Sequence, residues 1–466
     1  MQRLSALPTA GALLAVIFCA GCPATKPPEA KPPVAAEPAA TEPAASEAPA
    51  KPAEPAKGTE TKTESAATPA AAVPSTPARD EISEDVLKLV APLTKDQVRE
   101  GWINLFDGTT LFGWTSNRED INWSVVDGTI SADSGSNGLL LTSVPFADYE
   151  LHCEFNAAEG ANSGVFLRTL FDPKDVKADC YELNIADTQP EGYVTGSFVG
   201  RKQTAEPIKG SGGWKTFDVV VEGNRFDVKL DGKEVISYLD EAPTIRRSGL
   251  IGLQKNSGKI QFRNVRLKPL NLQPLMNGVD LSGWRAVPPP AKPKSVAEFK
   301  WQEDAVHVTG GPGFLETEKP YGDFVFQIDA ATHARDLNSG FFFRAEPGSP
   351  TAQSNGYEVQ VNNMMQEGDR TKPDKTQQGT GAIFRRATAR VVASDDFQWA
   401  TITLVASGPQ FATWVNGYPV VNWKDERPAD PNPRKGLRLE PGHLSLQGHD
   451  PTTDVSFRKA RIGNLP

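Results

Sequence analysis

Beyond residue 80 the chain consists of short runs in which apolar and polar residues alternate, broken by Gly, Asn, Asp and Pro. "WSVVDGTISA", "TFDVVVEGNRFDVKLDGKEVISY", "KIQFRNVRLKPL" and "DFVFQIDA" are examples. Period-two alternation marks strands with one buried face. The Asn-Gly and Asp-Gly pairs between them are hairpin signals. Many short strands joined by tight turns predict an all-β fold, a sandwich or jelly roll. One stretch, "ISEDVLKLVAPLTKDQVREGW" from Ile82 to Trp102, carries a helical pattern, with Thr94 and Gln97 at capping-box spacing.

The alternating region repeats itself at domain scale. "LFDGTTLFGW" is echoed by "LMNGVDLSGW", "NSGVFLR" by "NSGFFFR", "CYELNIAD" by "GYEVQVNN", and "GLQ…IQFRNVRL" by "SLQ…VSFRKARI", in the same order. A period this long means two tandem domains rather than a solenoid. The copies run over about 96–270 and 271–466; with the helical stretch the first domain spans 81–270.

Composition changes the picture at the N-terminus. Residues 23–80 are mostly Pro, Ala, Glu, Lys, Thr and Ser without an aromatic, a disordered tether that cannot bury a core. Residues 1–22 read as an export signal whose apolar core, Ala10 to Ala20, is too short to remain as a spanning helix. Its "CAGC" ending resembles a bacterial lipoprotein lipobox, although Cys19 stands where Leu is usual. That resemblance makes Cys22 the lipidated residue and implies an exported, cell-envelope protein held to a membrane by its N-terminal lipid, periplasmic or surface-facing. Ordinary signal cleavage is the alternative. Cys153 and Cys180 remain in the folded part, as a disulfide or as two buried thiols. The net charge of −9 is spread over both halves with no basic stripe, which argues against a nucleic-acid partner.

Alternation also sorts the candidate chemistry. In "YEVQVNN", Tyr357, Val359 and Val361 face one way and Glu358, Gln360 and Asn362 the other. In "YELNIAD" the corresponding polar residues are Glu182, Asn184 and the apolar Ala186. A row of carboxylate and amides suits the paired donors and acceptors of a polyhydroxylated ligand; a solvated outer strand face is the plain alternative. The same rule places Arg168 beside Phe166 and Arg344 beside Phe342, looking toward the glutamate of the neighbouring repeated strand, as site residues or as structural ion-pair partners. His449, in "LQGHDP", is a candidate acid/base in a turn. His152 and His307 look like outward-facing bystanders, and His333 and His443 carry no signal. Zinc spacing, a phosphate loop, a dinucleotide fingerprint and a nucleophile elbow are all absent from the sequence.

Taken together, "LTKDQVREGWINLFDGTTLFGW", "DYELHCEFNAAEGANSGVFLR", "GGWKTFDVVVEGNRFDVKLDGKEV", "NSGFFFR", "NGYEVQVNN" and "RKGLRLEPGHLSLQGHDPTTDVSFRKARI" resemble the 3-keto-disaccharide hydrolase family of bacterial domains, formerly of unknown function. The resemblance covers both copies. It implies two concanavalin A-like jelly rolls, each with a sugar site on its concave face, and chemistry on sugars oxidised at C3. There a base removes the C2 proton, a cation holds the enolate, and an acid protonates the C1 leaving group.

On residue type, Glu358, Arg344 and His449 are the expected catalytic group of the second copy. Gln360, Asn362, Arg168, Glu182 and Asn184 are the expected substrate contacts. The first copy has "LQKNSG" where the second has "LQGHDP", so it is expected to bind sugar or to have lost activity. A non-catalytic carbohydrate-binding lipoprotein is the alternative reading for the whole chain, and an envelope structural protein a third. No cofactor is expected. Calcium would suit the acidic loops of lectin-like jelly rolls, but no convincing ligand set stands in the sequence.

Overall fold

The computed structural model describes residues 78–289, 295–349, 355–432 and 434–466. The expected export signal, the lipobox Cys22 and nearly all of the tether lie outside them. Two β-sandwiches follow one another. The first pairs a large sheet with a five-stranded sheet in the order Trp114–Ser116, Gly138–Thr142, Leu250–Lys255, Asn162–Thr169, Tyr181–Ala186. The second repeats it as Trp284–Val287, Gly313–Thr317, His443–Gly448, Ser339–Glu346, Asn355–Val361. All these ladders are antiparallel. We call the five-stranded sheets the front sheets and their larger partners the back sheets.

The alternation seen in the sequence is the burial pattern observed. Along Tyr149–Ala157 every second residue is buried, so Tyr149, Leu151, Cys153 and Phe155 enter the core. The predicted hairpins close at Asp127-Gly128, Asp231-Gly232 and Asn416-Gly417, each with both residues at positive φ. That geometry matches the twist of the flanking strands and favours Asn or Asp followed by Gly. Cys153 and Cys180 are both free and buried.

The helical stretch differs from the expectation in two ways. It forms two short helices, Glu84–Val90 and Lys95–Glu100, because Pro92 drives Ala91 out of the helical region, to ψ 141°. The capping box between Thr94 and Gln97 is present on the second helix. Both helices also pack on the second sandwich rather than the first. Val86, Val90, Leu93 and Val98 are buried in one cluster with Phe326, Ile402 and Val415, and Gln327 Nε2 donates to the Gly101 carbonyl at 2.8 Å.

The sandwiches share an interface. Val325, Val405, Ala412 and Trp414 of the second are buried with the core of the first. Trp414 Nε1 donates to the Asn104 carbonyl at 2.9 Å, and Arg390 Nη1 donates to Asp107 at 2.7 Å.

Candidate functional site

The repeated arginines do not take the positions that alternation assigned them. Arg168 and Arg344 have φ of 46° and 47°, and at each one two residues on its strand face a single residue on the neighbour. This is a β-bulge, and its extra residue turns the following side chain to the other face. Gly249 and Gly442 make it possible: a Cβ on either would sit 2.3 Å from the carbonyl carbon of Arg168 or Arg344.

Both guanidiniums are fully buried and point inward. Arg344 donates to the carbonyls of Gly408 (2.6 Å) and Arg438 (2.7 Å) and pairs with the Asp323 carboxylate. Arg168 donates to Ala147, Gly223 and Arg246 carbonyls and pairs with Asp148 at 2.8 Å. The two rings beneath them, Phe226 and Phe411, correspond as well. Each arginine is thus a structural latch between the bulge and the turns of the back sheet. The expected catalytic role of Arg344 and the expected substrate contact of Arg168 are corrected accordingly.

Glu358 lies where alternation placed it, on the outer face of the second front sheet. Register brings Phe342 opposite Glu358, Ser445 opposite Phe342, Glu316 opposite Ser445, and Gln447 opposite Phe314, so these side chains share that face. Glu358 is 5% exposed. Its partner is Arg434, whose Nη2 donates to Oε2 at 2.9 Å while its guanidinium lies 5.4 Å from the Phe342 ring centroid. Burial pushes the Glu358 carboxyl above the usual carboxylate range. The charge and hydrogen bond of Arg434, the His449 imidazole and a bond from Gln447 pull the other way. His449 is therefore within electrostatic reach of Glu358; its side chain is 40% exposed, and Nδ1 faces Asp450 Oδ2 at 2.9 Å.

The amides divide. Gln360 Nε2 is held by Asn338 and Gln377. Its Oε1, like Oε1 of Gln447, is buried with no hydrogen-bond partner among the described residues. Asn362 is used up structurally: Nδ2 donates to the Leu337 carbonyl and Oδ1 accepts from the Met364 amide. It is not available to orient hydroxyls.

Three members of this face were missed in the sequence. Arg434 comes from the loop between Tyr418–Lys424 and His443–Gly448, where periodicity carries no information. Glu316 is fully buried, pairs with Arg285 and accepts from the Gly348 amide at 2.9 Å. Its signal was its spacing of two from Phe314. Gln447 lies in the repeated "LQ", a motif visible from the duplication alone.

The first sandwich carries a reduced version. Glu182 faces Phe166, Gly252 faces Phe166 and Leu141, and Gln254 faces Leu139. Leu141 therefore occupies the place of Glu316. Burial pushes the Glu182 carboxyl up to about 7, against a hydrogen bond to Gln254. Asn184 turns its Nδ2 to the Tyr193 carbonyl and is buried, so it too is structural. A depression of about 240 Å³ opens over Glu182, Gln254 and Phe166, rimmed by Arg118 and Lys174.

Among the described residues, the side chains placed for a metal are His307, His333 and Asp454, with ligand atoms within 4.8 Å of one another. His307 Nε2 faces Asp454 Oδ1 at 2.7 Å, so His307 is a partnered residue rather than a bystander. Two imidazoles and one carboxylate suit a zinc-like ion better than calcium, which prefers oxygens. His307 and Asp454 pair between the neighbouring back-sheet strands Ala305–Thr309 and Asp454–Asn464, away from the front-sheet face of Glu358.

Comparison with known proteins places the duplication in context. The family described as 3-keto-alpha-glucoside-1,2-lyase-like domain matches twice, over residues 101–268 and 271–463. A 3-keto-disaccharide hydrolase of Bacteroides thetaiotaomicron is 22% identical over 234 residues, which cover 37% of this chain and 79% of the relative. Among solved structures, a candidate glycosyl hydrolase of Parabacteroides distasonis is 20% identical with a TM-score of 0.34, covering 38% of this chain and 98% of its own. The carbohydrate-binding module CBM66 of Bacillus subtilis is 18% identical with a TM-score of 0.27, covering 33% and 94%.

Proposed function

Because the chain belongs to the 3-keto-alpha-glucoside-1,2-lyase-like domain family, we propose that it cleaves 3-keto-disaccharides or related oxidised glycosides, with the chemistry in the second sandwich. The supporting observation is the buried Glu358 carboxylate held by Arg434, beside two amide oxygens without hydrogen-bond partners among the described residues. Glu358 takes the proton from C2, which the C3 ketone has acidified; its raised proton affinity makes it a stronger base than an exposed glutamate. Arg434, rather than Arg344, neutralises the oxyanion that forms on the C3 oxygen. The C1–O bond breaks, and His449 protonates the departing oxygen. Water then adds across the C1–C2 double bond to complete hydrolysis. Gln360 and Gln447 accept from substrate hydroxyls.

In the first sandwich Leu141 replaces Glu316, and Lys255 and Asn256 stand in "LQKNSG" where the second has Gly448 and His449. Those replacements favour sugar binding without turnover there. The test uses the whole chain and a purified 3-keto-disaccharide, with monosaccharide release as the readout. Release is expected from the natural protein and from Glu182→Gln, and not from Glu358→Gln. Sugar binding without any release would support a carbohydrate-binding lipoprotein instead.

We also propose export and lipid anchoring through Cys22, on the strength of the signal-like N-terminus. Cys22→Ala is expected to release the chain from the membrane fraction of the producing cell; continued retention would exclude the anchor.

A further inference from the structure

Beside Glu358 a depression of about 360 Å³ opens at the edge of the front sheet. It is lined by five cationic side chains: Arg385, Arg386, Arg427, Arg434 and Lys435. Two of the five are spoken for. Arg427 forms a forked pair with Asp425, at 2.8 and 2.7 Å, and Arg434 pairs with Glu358. Arg385, Arg386 and Lys435 form no ion pair with a described residue. The concentration is unusual for a chain with a net charge of −9.

The Arg386 guanidinium is held in place rather than loose. Nη1 donates to the Arg385 carbonyl at 2.7 Å and Nη2 to the Arg434 carbonyl. Burial, and then the positive charge of Arg427 and of Arg434, depress its pKa against the opposing pull of Asp425. Like charges have therefore been gathered at one place; Asp425 and Glu358 pair with two of them, and Arg385, Arg386 and Lys435 are left without an ion-pair partner among the described residues. The first sandwich lacks the feature. There Tyr181 donates to Asp240 as Tyr357 does to Asp425, but the loop from Asp240 to Gly249 is short. In the second sandwich the loop from Asp425 to Gly442 is longer, and the extra length brings Arg434 and Lys435.

We propose that this depression is a subsite for an anionic substituent, a carboxylate or a sulfate ester, carried by the glycoside whose scissile bond lies over Glu358. The proposal rests on the catalytic reading only for the placement of that bond. A guanidinium fork and an ammonium recognise both anions through the same charge-assisted bonds.

The test is calorimetric titration of the whole chain with three matched disaccharides: cellobiose, cellobiouronic acid and a cellobiose sulfate. At low salt at least one acidic sugar is expected to bind about tenfold or more tighter than cellobiose. The gain should shrink at high salt and vanish in Arg386→Gln/Lys435→Gln, with the melting temperature unchanged. The stronger of the two acidic sugars tells a carboxylate subsite from a sulfate one. Equal binding of neutral and acidic sugars, or a gain that survives the double variant, would overturn the subsite. Turnover of a neutral 3-keto-disaccharide with no acidic preference would sink the subsite and leave the catalytic reading. Acidic preference without turnover of any 3-keto-disaccharide would do the reverse.

Discussion

Arg434 Nη2 donates to Glu358 Oε2 at 2.9 Å, across a sequence separation of 76 residues. The contact holds the one buried acid of the Asn355–Val361 strand against a cation from a distant loop. It also sets the balance at Glu358: burial raises its proton affinity and Arg434 restrains the rise. Arg434→Gln should therefore lower kcat/KM on a 3-keto-disaccharide by about a hundredfold or more. Arg434→Lys should restore only part of it, because an ammonium lacks the planar fork. Steady-state kinetics checks this, with the melting temperature as control; unchanged kinetics would remove Arg434 from the chemistry.

Arg344 should behave in the opposite way. Its loss leaves the Asp323 carboxylate without its cation and two carbonyls without their donor, so Arg344→Met should cost about 3 kcal/mol and lower Tm by roughly 6–12 °C. The protein that remains folded should keep its kcat. Asp148 is 23% exposed against 36% for Asp323, so Arg168→Met leaves the more deeply buried charge and should cost more. Calorimetry of the two variants gives the order. A loss of kcat without loss of Tm in Arg344→Met would return that residue to the site.

Glu182 makes stability depend on pH. Its carboxyl titrates near 7 when folded and near the ordinary glutamate value when unfolded. Between those values the unfolded chain has already lost the proton that the folded chain keeps. The contribution of Glu182 is therefore fully present below about pH 4.5 and is lost as pH rises through about 7. Glu182→Gln should match the natural protein at the acid end and exceed it in Tm at pH 8. A constant difference across that range would show that Glu182 is not held in its neutral form.

The two helices supply core to the second sandwich from the N-terminal side of the first. Val86, Val90 and Val98 on the helices and Leu93 between them together account for about 6–12 kcal/mol of apolar burial, comparable with the whole stability of a domain. A fragment of residues 271–466 should therefore be aggregated or molten, with exposed apolar surface that binds a hydrophobic dye. A chain from residue 78 should unfold cooperatively. A well-folded 271–466 fragment would show the helices to be dispensable.

The tandem repeat, the all-β class, the hairpins at Asp-Gly and Asn-Gly, and the outward placement of Glu358 and Glu182 were legible in the sequence alone. Each depends on interactions between neighbours along the chain: strand alternation, turn conformation, or a motif seen twice. The arginines were misplaced because one extra residue in a ladder reverses a face. Whether a bulge forms depends on a glycine about a hundred residues away, Gly442 against Arg344. Arg434 and Glu316 had to wait for the tertiary structure for the same reason. A loop has no period, and a buried carboxylate in "GFLETEK" looks like any surface glutamate until Arg285 and the Gly348 amide are brought to it. Local pattern determined which faces exist; only the closure of distant loops and strands decided which charges meet on them.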